Sequence, residues 1–300
     1  MENQIVTPAR AHAIVRASMK FPDARRLEAW AQRALFWGQI ILVTSFLIYR
    51  AYIGVQTPGT IIGHDVIPVD QPGRATVTLI LTRGPFYIFH YVPADPTFAA
   101  HPKAVLVFGS GDGGFTGWED RVCRALQAHG CEVIGFDCAI YARTDYDLPT
   151  LQADMNTLAH KFSHDGPQPP VILGGWSMGA DQAVAAAAGP HRPADLTGLL
   201  LISPSARSRY GVREPDRWDV PPKGPGTFAL DDFATDLTGL RVAQWDGNLD
   251  LLGSDTWLKD VTTTHKAYLF KLGFHDYAGA SDAFLNDLKD TVDWLLSNEP

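Results

Sequence analysis

The chain has 300 residues, 46% of them hydrophobic, and a formal net charge of −8, enough length and apolar content for one large α/β domain. The charge is uneven: six bases stand against three acids in residues 1–33, leaving −11 for the remainder. An acidic body excludes nucleic acid as the main partner, because phosphate binding needs a basic face.

Residues 1–33 form a basic tail that contains Arg10, Arg16, Lys20, Arg25, Arg26 and Arg33. Residues 22–37 read as a basic amphipathic or plain solvated helix. The next segment, 34–55, is almost entirely apolar, with Arg50 as its one charge. At 1.5 Å rise, about 20 such residues span a hydrocarbon core, and an arginine near the end can reach the interface. Trp30, Trp37, Tyr49 and Tyr52 bracket the run as interfacial aromatics do. No Lys or Arg occurs from Ala51 to Asp70, so the positive-inside rule puts the N-terminus in the cytoplasm. The expectation is a single-pass signal anchor in the inner membrane with a periplasmic body; a buried core helix is the alternative.

Residues 56–100 comprise a Pro/Gly-punctuated linker and two β-rich runs, Ala75–Leu81 and Phe86–Val92, with a hairpin turn expected at Gly84-Pro85. From Ala104 strands and helices alternate. Strands are expected at Ala104–Phe108, Glu132–Phe136, Val171–Gly174, Leu196–Ile202, Arg241–Trp245 and Ala267–Leu272. Helices are expected at Trp118–His129, Leu148–His160, Ser254–Val261 and Ala283–Leu296. This order predicts an α/β domain over 101–300, a mostly parallel sheet flanked by helices. Residues 206–236 are rich in Pro, Gly and charge and read as an insertion or lid. Cys123, Cys131 and Cys138 match neither C-x-x-C nor a zinc spacing. They read as small buried hydrophobes, with one disulfide pair as the alternative in an exported domain.

Gly175-Trp176-Ser177-Met178-Gly179 follows a strand and opens a helix, the context of a nucleophile elbow. A serine hydroxyl needs a base, and the base an orienting acid, expected in the order Ser, Asp or Glu, His. His275 follows the last strand and precedes the terminal helix, where the base belongs; His191 and His265 are poorly placed. The acid is expected after the preceding strand, at Asp250 three residues beyond Gly247, with Asp246 as the alternative. The oxyanion donors are expected to be the Met178 amide and an amide of the loop 109–114, at Gly111 or Asp112. That loop matches neither the P-loop nor the dinucleotide spacing, so no cofactor is expected. The Asp112 side chain is read either as a helix cap or as a partner for a cationic substrate group. Asp181 is read as complementing its helix dipole. His160 and His164 lack a third ligand and read as an exposed helix end, so no metal is expected.

Phe108-Gly109-Ser110-Gly111-Asp112-Gly113-Gly114, Gly175-Trp176-Ser177-Met178-Gly179-Ala180-Asp181 and Gly273-Phe274-His275-Asp276-Tyr277 resemble the bacterial virulence proteins of the VirJ/AcvB type. The resemblance covers roughly residues 100–300. It implies an α/β-hydrolase fold and a periplasmic serine hydrolase. For AcvB-type members it implies cleavage of the aminoacyl ester of lysyl-phosphatidylglycerol. The chain departs from the family at Phe115, usually tryptophan, and at Phe274-His275, commonly two histidines.

The expectation is therefore a membrane-anchored, extracytoplasmic serine esterase using Ser177, His275 and Asp250, without cofactor, metal or nucleic acid. Its partners would be an ester substrate, an aminoacylated phospholipid by the resemblance, and the membrane through residues 34–55. An acyltransferase of the same fold and a non-catalytic virulence or secretion-associated binding protein are the alternatives.

Overall fold

The structure, a computed structural model, describes residues 37–45, 73–162, 164, 166–212, 222–271, 273–275 and 277–297. The chain divides into two units, Met1–Pro58 and Gly59–Pro300. In the first, residues 37–45 are helical and exposed. The rest of the expected anchor, 34–36 and 46–55, lies outside the described residues, as do the basic tail and most of the linker. Among the described residues no helix is long and apolar enough to cross a membrane.

The second unit is built on an eight-stranded sheet. Its strands are β1 (Arg74–Leu81), β2 (Gly84–Tyr91), β3 (Val105–Gly109), β4 (Glu132–Phe136), β5 (Val171–Trp176), β6 (Leu196–Ile202), β9 (Arg241–Gly247) and β10 (His265–Phe270). A separate hairpin comprises β7 (Arg207–Arg209) and β8 (Thr227–Ala229). The sheet order is β1-β2-β4-β3-β5-β6-β9-β10. Only the β1–β2 and β2–β4 pairings are antiparallel. The interior strands β3, β4 and β6 are runs of Val, Leu, Ile and Phe with almost every residue buried, as strands covered on both faces must be.

Four long helices cover the sheet: α1 (Gly117–Ala128), α2 (Leu148–Ala159), α3 (Met178–Ala187) and α4 (Asp282–Leu296). One core layer packs Leu151, Met155, Leu158 and the alanines of α3 against one face. The other packs Trp118, Val122 and Leu126 of α1 with Phe284, Leu288 and Val292 of α4. Local chemistry sets where these helices begin. Thr116 and Glu119 form a capping box on α1, Asp147 caps α2 at the Thr150 amide, and Ser281 caps α4. Chain order reverses at β3, which lies between β4 and β5. The loops after β3 and β5 leave from the carboxyl ends of adjacent strands, where α/β sheets form their binding crevice.

Two expectations need correction. The hairpin turn falls on Thr82-Arg83, and Gly84-Pro85 opens β2 instead. The helix expected at Ser254–Val261 is a short 3-10 turn, Thr256–Asp260. Its bonds run from Leu258 to Asp255 and from Val261 to Leu258, and no side chain caps its start. All three cysteines are buried and free, so they pack as small hydrophobes and form no disulfide. The segment 206–236 holds β7, β8 and a 3-10 helix that starts at Leu230, while its middle, 213–221, lies outside the described residues.

Candidate active site

Strand β5 ends at Trp176 and α3 begins at Met178, so Ser177 alone makes the turn. Its backbone is left-handed, with φ 53° and ψ −120°, a conformation costly for a side-chain-bearing residue and kept where structure over-determines it. The flanking glycines allow the turn. A Cβ on Gly179 would collide with the Gly109 carbonyl, and one on Gly175 would come within 2.6 Å of the same oxygen. The Ser177 side chain does not cap its own helix. The Met178 amide, in the first helical turn, has no acceptor within the helix.

The loop after β3 lies on this elbow. A Cβ at Gly111 would stand 3.7 Å from the Ser177 Cβ. The Ser110 hydroxyl accepts from the Cys138 amide at 3.0 Å, and Asp137 accepts from the Phe115 amide at 3.1 Å. Of the expected oxyanion donors, Gly111 lies against the serine and Met178 follows it in the chain, while Asp112 is the next residue of the loop. The Asp112 side chain is exposed, and the cap of α1 is Thr116 rather than Asp112.

The expected base and acid, His275 and Asp250, stand in the loops after β10 and β9. These loops approach closely because both carry glycine: a Cβ on Gly247 would overlap the Gly273 carbonyl. The Leu249 amide also donates to that carbonyl at 2.9 Å. The result is one ion pair, in which His275 Nδ1–H donates to Asp250 Oδ2 at 2.9 Å. Asp250 Oδ1 accepts from the amides of Leu252 and Gly253 at 2.8 and 3.2 Å. Burial opposes the Asp250 charge, but the His275 hydrogen bond and charge, the Ser203 hydroxyl and the Leu252 amide outweigh it and bring the carboxyl to about 2.

Asp246, the alternative acid, accepts instead from Gln244 Nε2 at 2.7 Å, and its other oxygen is buried without a partner. Burial, reinforced by Asp255 and Asp250, pushes it up to about 6. The geometry pairs the imidazole with Asp250. Trp176, the residue before the serine, donates its indole N–H to the His275 carbonyl at 2.8 Å, which puts His275 beside the elbow. Among the described residues no hydrogen bond joins the Ser177 hydroxyl to His275; such bonds are often long without substrate and tighten in the complex.

Two buried carboxyls support the site in ways that spacing in the sequence does not reveal. Asp181 lies in the first turn of α3, as a partner of the helix dipole should, but it is buried. It is 2% exposed, accepts from the Ser205 amide at 2.7 Å, and is pushed by burial to about 7. Glu119 is fully buried, with one oxygen taken by the Thr116 amide and hydroxyl and the other unpartnered, and burial lifts it to about 7. The Thr116-x-x-Glu119 spacing signals the capping box but not the burial of Glu119. Ser203 is a further left-handed residue (φ 48°), and its hydroxyl bonds Tyr277 OH at 2.8 Å. His164 is not an exposed helix end: it and His90 both bind the buried Glu132. Glu132 opens β4, away from the strand ends that carry the site. Among the described residues no group of His, Cys, Asp and Glu is arranged to hold a metal.

The sheet order and strand directions are those of α/β hydrolases. The chain is similar in fold to the esterase domain of a Rhodothermus marinus protein, at 15% identity and a TM-score of 0.55, with 74% of this chain and 98% of that one covered. It is likewise similar to Est1E from Butyrivibrio proteoclasticus, at 14% identity and a TM-score of 0.53, over 74% and 98% of the two chains. For dienelactone hydrolase from Anabaena variabilis the values are 14%, 0.52, 74% and 95%. At these identities the likeness establishes the fold. No curated protein matches the chain in sequence. Residues 103–212, which contain the glycine-rich loop and the elbow, match the model of the bacterial virulence protein (VirJ) family, and the chain has an α/β-hydrolase fold.

Proposed function

We propose that the protein is a serine hydrolase acting on esters. The observation that carries this reading is the Asp250–His275 pair, at 2.9 Å, beside a serine on a left-handed elbow. Ser177 Oγ attacks the ester carbonyl while His275 Nε2 takes its proton. Asp250 holds the Nδ1 proton and stabilises the imidazolium. The Met178 amide, with that of Gly111 or Asp112, stabilises the oxyanion. His275 then gives the proton to the departing alkoxide, and water activated by the same imidazole releases the acid and restores Ser177.

The substrate reading is narrower. Leu249, Leu251, Leu252 and Phe274 flank Asp250 and His275 and are exposed, Leu251 at 95%. An apolar rim suits an ester embedded in lipid, and the exposed Asp112 beside the elbow suits a cationic acyl group. Both fit the aminoacyl ester of lysyl-phosphatidylglycerol, with the body held outside the cytoplasm at the inner membrane by residues 34–55. Incubating the full-length protein with vesicles that contain this lipid tests the proposal. Release of lysine by wild type and not by Ser177→Ala is expected. Turnover of simple esters without lysine release would leave a serine hydrolase but remove this substrate. Protease treatment of spheroplasts should digest the body, and protection of the body would contradict the topology.

A further inference from the structure

Trp176 occupies the variable position of the G-x-S-x-G turn, and its indole touches three parts of the site. Its ring lies 4.9 Å, centroid to centroid, from Trp118 at the start of α1 and 5.2 Å from the His275 imidazole. It forms the floor of the loop after β3, since a Cβ on Gly111 would come within 3.1 Å of a ring carbon. Its N–H donates to the His275 carbonyl at 2.8 Å. A buried indole N–H ordinarily finds some acceptor. Here the acceptor is the main chain of the base itself, reached from the residue adjoining the nucleophile.

His275 is consequently held at both ends. Asp250 fixes the imidazole through Nδ1 at 2.9 Å, and Trp176 fixes the backbone through the carbonyl. The Asp250 bond alone leaves the distance from Nε2 to Ser177 to be set by a surface loop. The Trp176 bond ties that loop to the end of β5, the strand that carries Ser177.

We infer that Trp176 is a positioning residue that fixes His275 relative to Ser177 through its indole N–H. The role rests on the triad reading above. It acts on the chemical step and not on substrate binding, because the hydrogen bond runs to the main chain of His275 and so bears on where the imidazole stands.

The test replaces Trp176 by 3-benzothienylalanine, which keeps the shape of indole and removes the N–H, alongside Trp176→Phe. Steady-state hydrolysis of a p-nitrophenyl ester by the full-length protein is measured, with folding followed by near-UV circular dichroism. The isostere should lower kcat by about ten-fold or more, with KM changed by no more than about two-fold, because a displacement of order 1 Å in a catalytic group costs up to ~100-fold. Trp176→Phe should fall at least as far. A folded isostere with wild-type kcat would overturn the role while leaving the triad intact. A loss confined to KM would also overturn it. Absence of turnover by the wild type would overturn the hydrolase reading, and the positioning role with it.

Discussion

Asp246 and Asp250 stand close together after β9, yet their surroundings drive them apart: one is lifted to about 6 and the other lowered to about 2. Only the second has the imidazole as partner, so the acid of the proposed triad is a matter of geometry and not of residue type. Asp250→Asn should lower kcat/KM roughly 10³–10⁴-fold, because the amide favours the wrong tautomer of His275. Asp246→Asn should cost less than about ten-fold. Parallel esterase kinetics decide between them, and the reverse order would exchange their roles. Glu119 supplies a second test at this scale. Its carboxyl holds its proton more tightly in the folded protein than in the unfolded chain. Its contribution is therefore most favourable below about pH 4.5 and is lost as pH rises to about 7, where the value in the folded state lies. Glu119→Gln, which keeps the capping pattern, should flatten the fall in unfolding free energy between pH 5 and 7, by on the order of 2 kcal/mol. Urea melts across that range check it, and an unchanged slope would assign the pH dependence elsewhere. Asp250 acts in the opposite sense: its stabilisation is present above about pH 4 and lost as pH falls toward 2.

Among the elements, the elbow is the most constrained. Gly179→Ala would drive a methyl group into the Gly109 carbonyl, backbone that cannot swing aside. A loss of about 3 kcal/mol or more in denaturant unfolding is expected, together with lost activity. Near-native stability would show that the β3 and β5 loops can separate. What could be read in the sequence follows from the same physics. Glu132–Phe136 and Leu196–Ile202 are bounded as read because a continuous apolar run flanked by breakers has one way to be buried on both faces. Ser254–Val261 has helix-like spacing but too few residues for a stable turn ladder, so i→i+3 bonds prevail. That Ser177, Asp250 and His275 each follow a strand was legible, because apolar runs and turn residues mark the ends of β5, β9 and β10. The burial of Asp181 and Glu119 was not, because it depends on the neighbouring loop residue Ser205 and on the packing of α1, which no local pattern encodes. The same holds for His164, whose partner Glu132 lies 32 residues away.

At the scale of the whole molecule, the chain reversal at β3 brings the glycine-rich loop to the serine of the next, while the last two strands bring Asp250 and His275 together through the Gly247–Gly273 contact. The sheet is sealed by its two helical layers, and the three cysteines lie inside them. Burial raises the Cys131 thiol to about 12 and the other two well above the ordinary range. Thiol titration of the native protein should therefore detect none of them, denaturant should expose all three, and reductant should leave the melting temperature unchanged. A reductant-sensitive melt would instead reveal a disulfide. In the proposed reaction this architecture makes Ser177 the nucleophile. Its most direct test is labelling by a fluorophosphonate, with the modified residue located by peptide mass. Wild type should carry one adduct, on Ser177, and Ser177→Ala and His275→Ala should carry none. A folded wild-type protein that takes no label, or takes it elsewhere, would exclude Ser177 as the nucleophile.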